Sequence, residues 1–344
     1  MKAIRFAVVG FGHIGRRHAA LIAAHPEAQL VAVCDALPID DLIGPEDATL
    51  KDIYYQGLDS LLGVDFDVAC ICTPNGLHAR QAIRCLAAGR HVVIEKPIAL
   101  SVAECDELIA ASHQHGREVF GVMQNRYSPA SAWLKELVDE GRFGRVLQVH
   151  VDCFWNRDER YYHSSEKGQH AWHGDPALDG GVLFTQFAHF IDLLCWTFGK
   201  LEVLTAYAVN QTHADLHPFP DTGMVQFKLA GDAVGSLNYS TVVWDQNFES
   251  TLSVLGSRGT VKLGGQYMNE LRYCHVEGIE KPSLPPSAPP NNYGPYQGSA
   301  ANHHFVIDNV VNVLKGLEAV ATTAEEGREV VRLITAIHEK SEPH

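Results

Sequence analysis

Three groups of residues in this 344-residue chain have types and spacings that could do chemistry. The first is Gly10-Phe11-Gly12-His13-Ile14-Gly15, set between an apolar run, Ile4 to Val9, and a helical pattern, Ile14 to Ala24. In that setting the first glycine permits a tight turn, the second lets backbone approach phosphate, and the third lets the helix pack on the strand. Amides at the helix N-terminus would then face a pyrophosphate. Asp35 comes twenty residues after Gly15, closing a second apolar run, Leu30 to Cys34. A carboxylate there accepts from both ribose hydroxyls of a dinucleotide and repels a 2′-phosphate, which points to NAD rather than NADP.

The second group is Glu95-Lys96-Pro97, which closes the apolar run Val92 to Ile94. Lys96 would stand at the carboxyl end of a strand in the same sheet, the edge where ligands of open α/β sheets bind. An ammonium there could hydrogen-bond a substrate hydroxyl and favour its alkoxide. The third group centres on His189, in a helical pattern from Leu183 to Phe198, with Thr185 and Gln186 four and three residues before it on the same face. Histidine is the natural base for removing a hydroxyl proton near neutral pH, although a core histidine bonded to a carbonyl has the same local pattern. Gly180-Gly181 ahead of this helix suggests close approach of a ligand. Trp155 to Tyr162 adds Arg157 and Arg160, each able to bind a carboxylate or phosphate through paired hydrogen bonds, with Tyr161 and Tyr162 as hydroxyl donors and Lys167 as a further cation. Asp158 and Glu159 offer the alternative of a salt-bridged loop.

These residues need elements to hold them. Short apolar runs at 4–9, 30–34, 68–71, 91–94 and 119–123 alternate with helical patterns, including one opened by Ser101 with Glu104 in capping-box spacing and ended by Gly116. The alternation indicates a doubly wound parallel sheet. After a helix over about 129–140 the pattern changes to strands with little helix between them, at 146–155, 202–210, 224–229, 234–243, 249–255 and 260–263. The fold class is therefore α/β: an N-terminal Rossmann sheet followed by an α+β domain with an open, mostly antiparallel sheet. The expected division is 1–124 for NAD binding and 125–344 for substrate binding and oligomerisation. A Pro-rich stretch, Lys281 to Pro290, is a surface arm, and two helices, about 302–314 and 323–340, close the chain.

Composition narrows the function classes. A formal net charge of −14 disfavours nonspecific nucleic-acid binding. No apolar run is long enough to span a membrane, and strand residues begin at Ile4, leaving no room for a signal peptide. Eight scattered cysteines without a C-x-x-C read as buried thiols in a reducing compartment, which makes the cytoplasm the expected location. Among nineteen histidines there is no H-E-x-x-H or paired Cys/His spacing, so no metal is expected, and His303-His304 reads as a helix start.

Taken together, the fingerprint, Thr73-Pro74-Asn75, Glu95-Lys96-Pro97 and the Gly180–Asp192 segment resemble the Gfo/Idh/MocA oxidoreductases over the full length of the chain. The resemblance implies hydride transfer between a nicotinamide cofactor and a sugar, inositol or related carbon. It implies a cofactor site of Gly10, Gly12, His13, Ile14, Gly15, Asp35, Thr73, Pro74, Asn75, His78, Glu95, Lys96 and Gln124, with Lys96 and His189 catalytic. Where the wider family carries an aspartate four residues before the histidine, this chain has Thr185, which departs from an inositol-dehydrogenase-like Lys/Asp/His trio. Segments 156–162, 183–187, 264–269 and 298–303 instead resemble the WlbA/WbpB branch, which oxidises C3 of the sugar in UDP-N-acetylglucosaminuronic acid for bacterial surface polysaccharide. For this chain that implies a substrate site of Lys96, Arg157, Arg160, Tyr161, Thr185, Gln186 and His189, with Arg160, beside the hydroxyls of Tyr161 and Tyr162, expected at the uronate. It also implies a homotetramer, with 2-oxoglutarate as a candidate for recycling NADH. The stretch His163 to Pro176 is longer and richer in histidine than the branch pattern. Another sugar or inositol dehydrogenase, and a non-catalytic NAD-binding regulator, are the alternatives. NADH formation from a substrate panel separates the first, and tight NAD binding without turnover would mark the second.

Overall fold

The structure, a computed structural model, describes residues 2–42, 45–163, 172–294 and 296–341. Lys167 and most of the histidine-rich stretch expected at 163–176 lie outside the described residues. The chain forms two compact units. One comprises Met1–Val122, Ser164–Asp179 and His303–Val331; the other comprises Met123–His163, Gly180–Asn302 and Arg332–His344.

Near-continuous apolar runs are what strands buried on both faces require. Among the described residues of the first unit, six strands form one parallel sheet: β1 (Ile4–Val9), β2 (Ala28–Asp35), β3 (Tyr54–Gln56), β4 (Val68–Ile71), β5 (His91–Ile94) and β6 (Val119–Gly121). Their order is β3-β2-β1-β4-β5-β6. The order reverses between β1 and β4, and ligands of such sheets bind beyond the carboxyl ends of the strands at that reversal. Gly10, Thr73 and Lys96 follow strands at this edge, and Asp35 ends one. The expected cap forms in its Ser101 half, with Ser101 Oγ accepting from Glu104 N at 3.2 Å, while the Glu104 carboxylate accepts from Leu100 N at 3.2 Å, one residue before the N-cap. β3 was not expected, because three residues carry no periodic signal. The strand expected at 119–123 stops at Gly121.

The second unit holds a seven-stranded sheet in the order β13-β12-β11-β7-β10-β9-β8. Its strands are β7 (Val146–Phe154), β8 (Glu202–Val209), β9 (Thr222–Lys228), β10 (Val234–Ser240), β11 (Glu249–Gly256), β12 (Gly259–Gly264) and β13 (Glu270–Val276). Only the β7–β10 pair is parallel among these described strands. Side chains alternate as the strand period demands: Val149, Val151, Val225, Phe227, Leu237 and Tyr239 are buried, while Tyr207 and Met224, paired across β8 and β9, are exposed. Packing of Phe187 and Phe190 against Trp155, with ring centroids 5.9 and 5.5 Å apart, anchors the helix that carries His189.

That helix departs from expectation in its first turn. Leu183–Phe187 is π-helical, and regular α-helix runs only from Ala188 to Phe198. Single π turns inside helices are uncommon and concentrate at functional sites. The glycines before it have φ of +81° and +97°, and a Cβ on Gly181 would stand 3.0 Å from the Phe219 ring. Backbone conformation at both glycines and the Phe219 contact at Gly181 each require glycine whether or not a ligand approaches.

A short 3₁₀ turn, Gln124–Tyr127, is tied to the same helix. Arg126 donates to both carboxylate oxygens of Asp192, at 2.8 and 2.6 Å, with both side chains buried. Removing one partner of such a pair strands a charge in the interior. Arg126→Met is predicted to cost about 3–5 kcal/mol in denaturant unfolding, and adding Asp192→Leu should recover most of it. Equal losses in the single and double variants would show that the charge is not what matters.

Candidate active site

At the first unit's sheet edge, the chain leaves β1 through Gly10 at φ +89°. A Cβ there would lie 2.8 Å from the Cys72 carbonyl and the Thr73 amide, and one on Gly15 would lie 1.9 Å from Gly10 O. No larger residue fits either place. Gly12 is the N-cap of the helix His13–Ala24 and offers no side chain to its first amides, those of His13 and Ile14 included. Asp35 ends β2, and its carboxylate accepts from Phe11 N at 2.7 Å and Leu37 N at 3.1 Å. It thereby fastens the glycine loop to the second strand, while a carboxylate's four lone-pair sites leave capacity for ribose hydroxyls. A cradle stripped of side chains, an uncapped helix start and a carboxylate fit NAD.

The loops after β4 and β5 are held from inside the unit. Asn75, expected at the cofactor, donates to Asp179 O at 2.8 Å and is buried. Thr73 Oγ1 donates to Gln81 Oε1 at 2.6 Å. The ring nitrogens of His78 lie 2.7 Å from Pro97 O and 2.6 Å from Thr73 O. Burial holds this histidine below its ordinary pKa, opposed by the two carbonyls that its ring nitrogens meet. His78 thus ties together the two loops that flank Pro74 and Lys96. Glu95 is also turned inward: Oε1 lies 2.8 Å from His18 Nε2 and 3.5 Å from His303 Nε2. Burial alone would push this carboxyl up, but the two histidines hold it well below the usual carboxylate range. The three donor atoms lie within 4.8 Å of one another, a set that could ligate a cation; the 2.8 Å contact is the length of a charge-assisted hydrogen bond. Lys96 follows, partly exposed, its own N–H donating to Glu95 Oε2 at 3.3 Å, and the Lys96–Pro97 peptide is cis.

In the second unit, Thr185, Gln186 and His189 are all buried, at 7%, 6% and 3% exposure. Thr185 Oγ1 donates to Gly181 O at 3.2 Å. Gln186 bridges two other expected residues: its Oε1 accepts from Arg157 Nε at 2.6 Å and its Nε2 donates to Tyr161 Oη at 2.9 Å. Gln124, read as a cofactor residue, has its amide nitrogen 3.2 Å from His189 Nε2. Sequence reasoning missed His18, Arg126 and Asp192, and took His303 only for a helix start. Their partners are far away in sequence, and no local pattern marks them.

The two arginines differ sharply. Arg160 is half-exposed on an open cleft with Trp244 and Asp245. It is paired with Asp158 at 2.7 Å and Asp245 at 3.3 Å, so the salt-bridged loop that its neighbours permit is the arrangement observed. Arg157 is 1% exposed. Its guanidinium lies against the rings of Trp155, Tyr296 and Tyr161, at 4.9, 5.0 and 5.5 Å. It donates to Gln186, Asn156 O, Asn247 Oδ1 and Gln297 O. Among the described residues no carboxylate pairs with it. Burial lowers its pKa, but a guanidinium remains charged.

Comparison with known proteins places this geometry. Residues 4–122 match the family model of the Gfo/Idh/MocA oxidoreductase family with an NAD-binding Rossmann fold, and residues 132–262 match that of the GFO/IDH/MocA C-terminal domain. A solved WlbA dehydrogenase from Bordetella pertussis, in complex with NADH and UDP-GlcNAcA, is similar at 30% identity and TM-score 0.86, covering 99% of this chain and 97% of that one. A second WlbA dehydrogenase, from Chromobacterium violaceum, gives 28% and 0.86 over 99% and 94%. The inositol 2-dehydrogenase of Rhizobium meliloti is 25% identical over 82% of each chain. Among the described residues no helix is long and apolar enough to cross a membrane.

Asp35 predicts the cofactor preference. NAD should exceed NADP in kcat/KM by about tenfold or more, for which some 1.4 kcal/mol of charge repulsion suffices, and Asp35→Ser should narrow the ratio. Comparable values for the two cofactors in the wild type would count against this role.

Proposed function

We propose that this chain, which belongs to the Gfo/Idh/MocA family of NAD-dependent oxidoreductases, oxidises the C3 hydroxyl of UDP-N-acetylglucosaminuronic acid to a ketone. The observation that carries the substrate is Arg157, a buried cation with no carboxylate partner among the described residues. A buried charge without a counter-ion is unfavourable, and a uronate would supply one. Support comes from the similarity to WlbA dehydrogenases crystallised with UDP-GlcNAcA. Thr185, in place of an acid, favours this reading over a cyclitol dehydrogenase.

In the proposed chemistry His189 removes the C3 hydroxyl proton, and Lys96 hydrogen-bonds the oxygen and stabilises the alkoxide as it forms. NAD, when bound, accepts the hydride. Gly10, Gly15 and Asp35 hold that cofactor, while Gln186 and Tyr161, ordered by Arg157, serve the sugar. Catalysis by these side chains rests on orientation and electrostatics. We also propose that the face of the second unit's sheet bearing Tyr207 and Met224 supports a homotetramer. A soluble cytoplasmic setting, with 2-oxoglutarate regenerating NAD, completes the reading.

The test is NADH formation from UDP-N-acetylglucosaminuronic acid, UDP-N-acetylglucosamine and myo-inositol, with and without 2-oxoglutarate. The acid should be preferred; equal rates on acid and neutral sugar would remove uronate recognition. Lys96→Ala and His189→Ala should each lower turnover by about 10²–10⁴ while NAD binding, followed by fluorescence titration, stays near wild type. Near-normal turnover in His189→Ala would remove it as the base.

The arginines supply a separate prediction. Arg160→Leu should change the acid-to-neutral ratio of kcat/KM little, because Asp158 and Asp245 already neutralise Arg160. Arg157→Lys should lower that ratio, because lysine replaces a stacked, forked donor poorly. The reverse ranking would return uronate recognition to Arg160.

A further inference from the structure

We propose that His18, Glu95 and His303 form a zinc site inside the first unit, where the ion ties together three segments far apart in the chain. His18 lies on the helix His13–Ala24, Glu95 follows β5, and His303 is the first residue of the helix His303–Leu314. All three residues are buried, at 0%, 6% and 1% exposure. The two imidazoles approach the same oxygen, Glu95 Oε1, with His18 Nε2 at 2.8 Å and His303 Nε2 at 3.5 Å. The rings meet edge to face, with centroids 5.6 Å apart and planes at 85°. Two nitrogens therefore reach one carboxylate oxygen from different directions.

Hydrogen bonding accounts for only part of this arrangement. His18 Nε2 is at hydrogen-bond distance, but His303 Nε2 is buried and makes no hydrogen bond among the described residues, and neither does Nδ1 of either ring. Buried polar atoms are nearly always satisfied, and an exception calls for a water or an ion. Zinc takes imidazole nitrogen and carboxylate oxygen at about 2.0–2.2 Å, which sets neighbouring tetrahedral donors about 3.3 Å apart. The contacts of 2.8 and 3.5 Å bracket that spacing, and the three donors lie within 4.8 Å of one another. An ion among them gives His303 Nε2 a partner and puts each ring proton on Nδ1. Those Nδ1 atoms are buried without a bond in either state, so binding orphans no further nitrogen. Glu95 is ionised, held so by the two histidines, and supplies the negative charge that a buried cation needs. The imidazoles select zinc over magnesium or calcium, which favour oxygen donors throughout. A set of two histidines and one glutamate leaves a fourth position, which water fills. Lys96 N–H donates to Glu95 Oε2 at 3.3 Å, so the ion would also steady the backbone that presents Lys96. The ligands come from three separate elements, and no local spacing marks them in the sequence.

The test uses untagged full-length protein, stripped with a chelator and reloaded with zinc sulfate, and needs no substrate. One zinc per chain should survive gel filtration, measured by elemental analysis. Zinc at about a hundredfold over its Kd should raise Tm by about 4 °C or more. His303→Ala should lose both the zinc and the shift. His303→Cys keeps a ligand and should keep the zinc; loaded with cobalt, it should show a thiolate-to-cobalt charge-transfer absorption that the wild type lacks. If His303→Ala does not fold, the cobalt spectrum of His303→Cys decides. A wild type that retains no zinc, or whose Tm ignores it, overturns the inference. Full zinc content in His303→Ala would place the ion on other histidines and overturn it too, as would cobalt-loaded His303→Cys without the charge-transfer band.

Discussion

Burying the carboxylate of Asp192 obliges the chain to bring Arg126 to it, and the placement of His189 depends on that pair. An ionised carboxylate with no exposure cannot stand alone in an apolar interior. The paired bonds from Arg126 fix both the distance and the rotation of the helix against the Gln124 turn. The π turn at Leu183–Phe187 then sets Thr185 and Gln186 ahead of the histidine on a wider spiral than an α-helix would give. The first unit solves the same problem at Glu95 with two histidines instead of an arginine. In each unit the residue proposed for chemistry lies within three positions of a buried, ionised carboxylate.

Much of this was legible in the sequence, for identifiable reasons. Gly10 and Gly15 announce themselves because no other residue fits where β1 turns into its helix. Most strands of the first sheet are legible because burial on both faces leaves continuous apolar runs, and most of the second because burial on one face leaves alternation; β13, at the sheet edge and mostly exposed, shows neither pattern and was missed. Legibility fails where contacts join distant positions. Arg126 and Asp192 lie 66 residues apart, and His18 and Glu95 lie 77 apart. Nothing local distinguishes His303 at a helix start from a histidine that meets a buried glutamate. β3 is too short to show a period, and a π turn has the same composition as the α-helix it opens.

The two arginines show where residue type misleads. Arg157 and Arg160 lie three positions apart, between Trp155 and Tyr162, and both could bind an anion. Folding separates them: one is neutralised at the surface by two aspartates, and the other is enclosed among aromatic rings and amide oxygens. In a chain with a net charge of −14, a cation kept away from carboxylates is the exception that calls for a ligand.

UDP-N-acetylglucosaminuronic acid deuterated at C3 offers the most direct measurement of the proposed chemistry. Incubated with the protein and NAD, it should give reduced nicotinamide carrying the label, one deuterium per turnover by mass spectrometry. Reduced cofactor without deuterium would place the oxidation at another carbon, and no reduction at all, with NAD bound, would contradict the proposed substrate.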